Sequence, residues 1–270
     1  MNLNTFARHG VFDDKALVRQ IASRLRDPHK VRRARCFPYQ LLTAFHSADK
    51  AVPASVRDAL QDAMEVAIEN VPSIAGRALV CPDVSGSMRS PVTGQRTGAT
   101  TATRCIDVAA LVAAAVLRKN PDADVLAFSD HVVPCDLNAR DSVMTNAQKL
   151  ASLPSGGTNC SAPLHHLNSK RVTGDLVIFV SDNMSWVDSQ GGGHSTATMQ
   201  EWEKFRARNP RARLVCLDVQ PYGSTQAVER EDILNIGGFS DGVFEIIAAF
   251  AAGELNANHW VGLIEKIDLP

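Results

Sequence analysis

The chain lacks the features that announce most specialised proteins. It has no Cys-x-x-Cys pair: Cys36, Cys81, Cys105, Cys135, Cys160 and Cys216 are scattered, which argues against structural zinc and leaves buried free thiols as the simplest reading. No apolar run approaches the ~20 residues needed to span a bilayer. Residues Met1 to Arg8 lack the basic and apolar order of a secretory signal, so the expected compartment is the cytoplasm. A net charge of −1 over 270 residues gives no global attraction for polyanions, and any such site must be a local patch. Gly-x-Ser-x-Gly is missing, because Asp83 stands where the first glycine would be. There is no Gly-x-x-x-x-Gly-Lys-Ser/Thr loop for nucleotides, no internal repeat and no low-complexity tract. A hydrophobic content of 45% fits one large domain, or one domain with an appendage.

One stretch stands out against these absences. The apolar run Ala78-Leu79-Val80-Cys81 ends abruptly in Pro82-Asp83-Val84-Ser85-Gly86-Ser87. That order predicts a buried strand whose carboxyl end carries Asp83, Ser85 and Ser87 on a tight loop. Ligands of open α/β sheets gather outside the carboxyl ends of strands. Three oxygens at alternating positions suit a hard cation such as Mg²⁺, which takes oxygen ligands and keeps several waters. The plainer alternative is a turn that only links a strand to a helix.

Residues 1–72 read as helical and basic. A first helix opens near Asp13 and Asp14, with Ala16, Leu17, Ile21 and Leu25 as its apolar face; a second starts near Pro38, and a third covers Pro53 to Asn70. So short a helical set buries little by itself and must lean on another body. Arg19, Arg24, Arg26, Lys30, Arg32, Arg33 and Arg35 share one acid, Asp27. This run is either a solvated face or a phosphate-binding surface, since arginine forks match phosphate oxygens.

From Arg77 strands alternate with helices, the pattern of a parallel sheet covered on both faces. Strands are expected at Arg77–Pro82, Asp124–Phe128, His131–Pro134, Leu176–Val180 and Ala212–Val219, with the second and third forming a hairpin at an antiparallel edge. Helices are expected at Arg104–Arg118, Val143–Leu153, Met199–Arg208, Ile233–Ile236 and Val243–Ala252. The expected division is a helical segment over 1–72, an α/β domain over 77–252, and a tail over 253–270 that packs back. Trp186 and Gly191–Gly193 are placed at the rim of the site, as shield or mobile loop or as plain surface.

Two later loops offer further oxygens. Ser155-Gly156-Gly157-Thr158 can bring a backbone and a hydroxyl close to a ligand, and the strand Leu176–Val180 ends in Ser181-Asp182-Asn183. Asp182 should therefore face the same crevice as Asp83. Asp-x-Ser-x-Ser, a threonine in a Gly-Gly loop and an aspartate after a buried strand resemble the metal-ion-dependent adhesion site of a von Willebrand factor A domain. The resemblance implies a Rossmann-like, doubly wound, mostly parallel sheet with one antiparallel edge. It also implies that Ser85 and Ser87 coordinate a divalent cation, with the oxygen set pointing to Mg²⁺, Thr158 and Asp182 reaching it directly or through water, and Asp83 holding waters and hydroxyls. Neutral hydroxyls leave such an ion under-neutralised, so it seeks an outside anion, an Asp or Glu of a protein partner.

Cys105-Ile-Asp-Val-Ala-Ala-Leu, Ala127-Phe-Ser-Asp, Gly156-Gly-Thr-Asn-Cys-Ser and Ser181-Asp-Asn resemble, more narrowly, the A domain of the Ro (TROVE) ribonucleoproteins, with Ser90–Thr103 closer to bacterial or phage members. Asn2-Leu-Asn-Thr-Phe-Ala-Arg-His-Gly and Ala34-Arg-Cys-Phe-Pro-Tyr-Gln resemble the last helices of the TROVE repeat ring. The family implies binding of small noncoding, Y-like RNA and handling of aberrant RNA ends. Arg24, Arg26, Lys30, Arg32, Arg33 and Arg35 are the RNA-facing candidates. Residues 1–72 are too few to close a ring, which leads us to expect a truncated or split member. The second reading is a metal-dependent protein-interaction module without RNA binding of its own. An enzyme would need Ser85 or Cys160 as nucleophile beside a base such as His165 or His166; with no catalytic motif around them, no catalytic residue is assigned.

Overall fold

Helix starts are written locally in this chain. The Asp14 carboxylate accepts the N–H groups of Ala16 (2.7 Å) and Leu17 (3.4 Å) and caps α2 (Lys15–Arg26). Asp27 caps α3 (Pro28–Arg33) in the same way, with Pro28 in the first turn. Helix α1 (Leu3–Arg8) precedes them, and α4 (Pro38–His46) and α5 (Ala54–Ala67) follow. The computed structural model describes residues 2–94, 102–182, 197–220, 227–228 and 230–255. Trp186, Gly191–Gly193, residues 95–101 of the long polar loop and most of the tail lie outside the described residues.

The apolar face of α2 is rotated from the expected one. Ala22 is buried and Val18, Ile21 and Leu25 pack on the core, whereas Leu17 is 39% exposed. Positions 18, 21, 22 and 25 form the i, i+3, i+4, i+7 stripe that meets α5.

Five parallel strands form one sheet in the order β2-β1-β3-β4-β5. They are β1 (Ala78–Pro82), β2 (Asp124–Val125), β3 (Leu176–Ser181), β4 (Arg213–Asp218) and β5 (Ile233–Gly237). The crossovers carry α6 (Cys105–Lys119), α7 (Val143–Ala151), α8 (Ala162–Ser169) and α9 (Ala197–Arg208), and α10 (Val243–Ala252) follows the last strand. Alternation along the central strands sorts two apolar layers. Val80, Ile178, Val180, Val215 and Leu217 join the layer that includes α6, α10 and the N-terminal helices. Leu79, Cys81, Val177, Phe179, Leu214 and Cys216 join the layer under α8 and α9. Helix α6 is buried from Cys105 to Leu117 because it is covered by the sheet, α4 and α7. No helix of the described residues is long and apolar enough to cross a membrane.

Two expectations need correction. Ile233–Gly237 is a strand, not a helix; it pairs with β4 from Leu214↔Ile233 to Asp218↔Gly237. A short apolar run is ambiguous by periodicity, and the open hydrogen-bonding edge of β4 decides it. His131–Pro134 is not a strand, and the expected antiparallel edge shrinks to a single bridge between Phe128 and Val132.

Polar contacts join the helical layer to the α/β body. The Glu65 carboxylate accepts Val143 N–H (2.7 Å) and the Arg118 guanidinium (3.2 Å). Asp241 accepts Tyr39 N–H in the first turn of α4 (3.2 Å), while the Tyr39 and Phe239 rings meet edge to face at 4.9 Å. Burial pushes the Asp241 carboxyl up to about 6, although the Tyr39 bond opposes it. The folded state therefore keeps a proton at pH values where the unfolded chain, near 3.9, has lost it. This contribution to stability is full below about pH 4 and is lost as the pH rises through 6. Asp241→Asn keeps an acceptor for Tyr39 and removes the buried charge. It is expected to add about 1–2 kcal/mol of stability above pH 7 and nothing near pH 4; urea midpoints at the two pH values check this.

Candidate functional site

The carboxyl ends of β1 and β3 gather the oxygens that the sequence singled out. Asp83, Ser85 and Ser181 are fully buried, Asp182 and Thr158 nearly so, and Ser87 is half-buried. Asp83 Oδ1 accepts the N–H of Ser85 at 2.8 Å, an Asx-type turn that forces the loop back over the strand end. Asp83 Oδ2 accepts the Ser181 hydroxyl at 2.7 Å, which ties β1 to β3. The hydroxyls of Ser85 and Ser87 lie 3.2 Å apart, so the alternating positions do converge.

Backbone bonds bring the other loops to this turn. Gly86 N–H donates to Gly156 C=O at 3.1 Å, and Asn159 N–H donates to Ser129 C=O at 2.8 Å, placing Thr158 between the two ties. Gly156 leaves little room for a side chain, since a Cβ would stand 3.1 Å from Asp130 Oδ1 and 3.2 Å from Ser129 Oγ, which would have to give by a few tenths of an ångström. On the α6 side, Arg104 and Asp107 close the helix start on each other, with bonds from Arg104 N (2.8 Å), Nε (3.0 Å) and Nη2 (2.7 Å) to the Asp107 carboxylate. That arginine is committed to its own cap.

The field at this end of the sheet is negative and uncompensated. Burial pushes the Asp83 carboxyl up to about 6, against the pull of its bonds to Ser85 and Ser181, and Asp182 adds to the rise. Burial and then Asp182 push Asp218, at the end of β4, up to about 7. The Cys105 thiol at the start of α6 goes up to about 12 through burial, then Asp182, with Asp107 and Asp83 adding to it. Among the described residues no basic side chain is among the groups acting on Asp83 or Asp218. Buried carboxylates without a counter-charge are costly, and a divalent cation is the charge that would relieve them. Among the described residues no three His, Cys, Asp or Glu side chains lie close enough to hold an ion together. An ion here would therefore rest on hydroxyls and water as well as carboxylate, which is the donor set of Ser85, Ser87, Thr158, Asp83 and Asp182 and fits Mg²⁺.

Ser181 and Asp218 stand at the same strand ends and were not among the oxygens that sequence reasoning singled out. Asp218 closes the apolar run Leu214–Leu217 as Asp83 closes Ala78–Cys81, and that repetition was the available signal.

The basic run lies elsewhere, on α2, α3 and the turn that follows. All six candidates are exposed. Arg26 Nε meets Asp62 at 2.6 Å, Arg32 grips both oxygens of Glu69 at 2.6 and 2.9 Å, and Lys30 stands 3.4 Å from Asp27. Arg24, Arg33 and Arg35 have no carboxylate partner among the described residues. Arg35 closes α3 with a left-handed backbone, φ 46°. The nucleophile candidates do not assemble: Cys160 is buried in the layer under α8 and α9, while the His165 side chain is 74% exposed with Nδ1 3.7 Å from Glu201.

Two family models match the chain, the Ro60 vWA domain over residues 77–251 and the TROVE domain over residues 1–93. The chain is similar to an RNA-binding protein RO60 of Deinococcus radiodurans, 30% identical over 266 residues, covering 94% of this chain and 49% of that one. It is similar to an RNA-binding protein RO60 of Caenorhabditis elegans, 25% identical over 270 residues, covering 94% and 40%. In three dimensions it is similar to the crystal structure of the Deinococcus radiodurans RO (RSR) protein, with a TM-score of 0.76, 27% identity, and coverage of 94% and 52%. The chain spans about half the length of the bacterial relatives it matches, and less of the nematode one.

Proposed function

The chain belongs to the Ro60 family, with its TROVE and vWA domains, and from that premise we propose that it is an RNA-binding ribonucleoprotein component of the Ro/TROVE type. In this reading it binds small noncoding, Y-like RNA, serves RNA quality control in the cytoplasm, and carries a metal-ion-dependent adhesion site. The observation that supports RNA binding is the exposed group Arg24, Arg33 and Arg35 on adjoining helical elements, without a carboxylate partner among the described residues. Guanidinium groups of that kind suit phosphate oxygens.

Asp83, Ser85, Ser87, Thr158 and Asp182 would hold the cation, and a bound Mg²⁺ would supply an under-neutralised charge for a partner's Asp or Glu. The chain's own contribution is to hold the hydroxyls in place through Asp83 and to keep the strand ends free of competing cations. No nucleophile or general base is needed for either task.

The pairing of Arg26 with Asp62 and of Arg32 with Glu69 favours a second reading, a metal-dependent protein-interaction module in which RNA plays no part. Affinity for a structured small RNA as a function of salt separates the two. Phosphate contact by three arginines is expected to give a log–log slope of about −2 to −3, and a flat slope removes the RNA reading.

A further inference from the structure

We propose that Asp218 is a further positioning residue of the metal centre, one that holds water bound to the ion without ligating the ion itself. The inference rests on the reading that the centre takes a divalent cation. The sheet register supplies its geometry. Pro82 pairs with Val180, Ser181 with Asp218, and Asp218 with Gly237. One residue beyond Pro82 is Asp83, whose N–H donates to Val180 C=O at 2.9 Å. Asp83, Ser181 and Asp218 therefore form one row across three neighbouring parallel strands. Side chains in such a row share a face, at a spacing of about 4.8 Å. Alternation agrees, because Cys81, Phe179 and Cys216, two residues earlier on each strand, all belong to the layer under α8 and α9.

Within this row the hydrogen bonds are unevenly shared. The Ser181 hydroxyl has one proton and gives it to Asp83 Oδ2 at 2.7 Å. On the other side, Gly237 has no side chain to offer. Asp218 is only 4% exposed, and its Oδ1 has no hydrogen-bond partner among the described residues. A buried carboxylate oxygen left in that state is costly, and in native folds it ordinarily marks a missing donor. The donor has to be one that tolerates the neighbouring Asp182 charge, which acts on Asp218 directly. A role through water rather than as a third direct carboxylate agrees with the lack, among the described residues, of any three His, Cys, Asp or Glu side chains grouped to hold an ion. Water in the shell of a cation meets both requirements: its protons are polarised outward, and the ion balances the carboxylates. Mg²⁺ keeps several such waters, and carboxylates that accept from the inner shell commonly tune affinity.

The experiment compares the wild-type chain, Asp218→Asn, Asp83→Asn and Asp241→Asn by calorimetric titration with Mn²⁺ and Mg²⁺, and by melting in EDTA. Asp218→Asn is expected to melt higher than wild type in EDTA, because the amide removes an unpaired buried charge. It is expected to bind Mn²⁺ about ten-fold or more weakly, while Asp241→Asn, a buried carboxylate that accepts from Tyr39 N–H and lies outside the proposed ligand set, binds as wild type does. If wild type binds metal and Asp218→Asn binds equally well, the assignment of Asp218 falls and the centre stands. If Asp218→Asn melts lower in EDTA as well as binding less, Asp218 is a structural residue and the assignment falls. If wild type binds neither ion, the centre itself is refuted and Asp218 with it.

Discussion

Reversing the charge of Arg24, Arg33 and Arg35 together, by Arg→Glu at each, is expected to lower affinity for a structured small RNA about 100-fold at 0.15 M salt. Each arginine that touches a phosphate releases about one counterion, and each is worth on the order of 1 kcal/mol at that ionic strength. Three such losses compound to roughly 3 kcal/mol, a factor slightly above 100. The salt slope should fall by about 2–3 in the same variant. Reversal at Arg26 and Arg32 is expected to do less to RNA affinity, because those charges already face Asp62 and Glu69. It would instead set like charges against each other across α2, α3 and α5, at about 1 kcal/mol or less per exposed pair. Binding curves at several salt concentrations, with melting as the control for folding, check both variants. Equal affinity and equal slope in the triple variant and wild type would sink the phosphate-contact claim.

The contrast between those two arginine sets could not be read from the chain. Arg26 and Asp62 are far apart in sequence, as are Arg32 and Glu69, and only the packing of α5 against α2 and α3 brings them together. The cluster of oxygens at the strand ends was far more legible, for a physical reason. A parallel strand must end at the same edge as its neighbours, so an acid closing a buried apolar run lands beside every other acid that does so. Asp83 and Asp182 were placed by that rule, and Thr158 by its glycines. Asp218 obeys the same rule but sits inside a run that continues to Val219, which hid its position at the strand end. The same limit explains β5: Ile233–Ile236 carries no period of its own, and its state is set by the edge of β4. Leu17 illustrates a further limit, since α2 has two adjacent apolar stripes and only the partner helix chooses between them.

Removing the Asp83 carboxylate is expected to abolish stabilisation by divalent cations. A ligand that binds only the folded state stabilises it by about 2.7 kcal/mol at a hundred times its dissociation constant. For a chain of this size that is a rise in Tm of roughly 5 °C. Wild type should show this rise on adding Mg²⁺ or Mn²⁺ in place of EDTA, and Asp83→Ala should show none. Asp83 holds the Ser85 amide at 2.8 Å and the Ser181 hydroxyl at 2.7 Å, so its loss frees the loop that aligns Ser85 with Ser87. The alanine variant also strands those two donors in the interior, at about 1–3 kcal/mol each, and its lower baseline stability could be mistaken for the effect of interest. Asp83→Asn separates the two. Its amide oxygen can still accept from Ser85, so the fold is expected to hold near wild-type stability in EDTA while the response to metal is lost with the negative charge. A full metal-dependent rise in Asp83→Asn would mean that charge at the end of β1 is irrelevant to the ion, and the adhesion-site reading would then have no support in this chain.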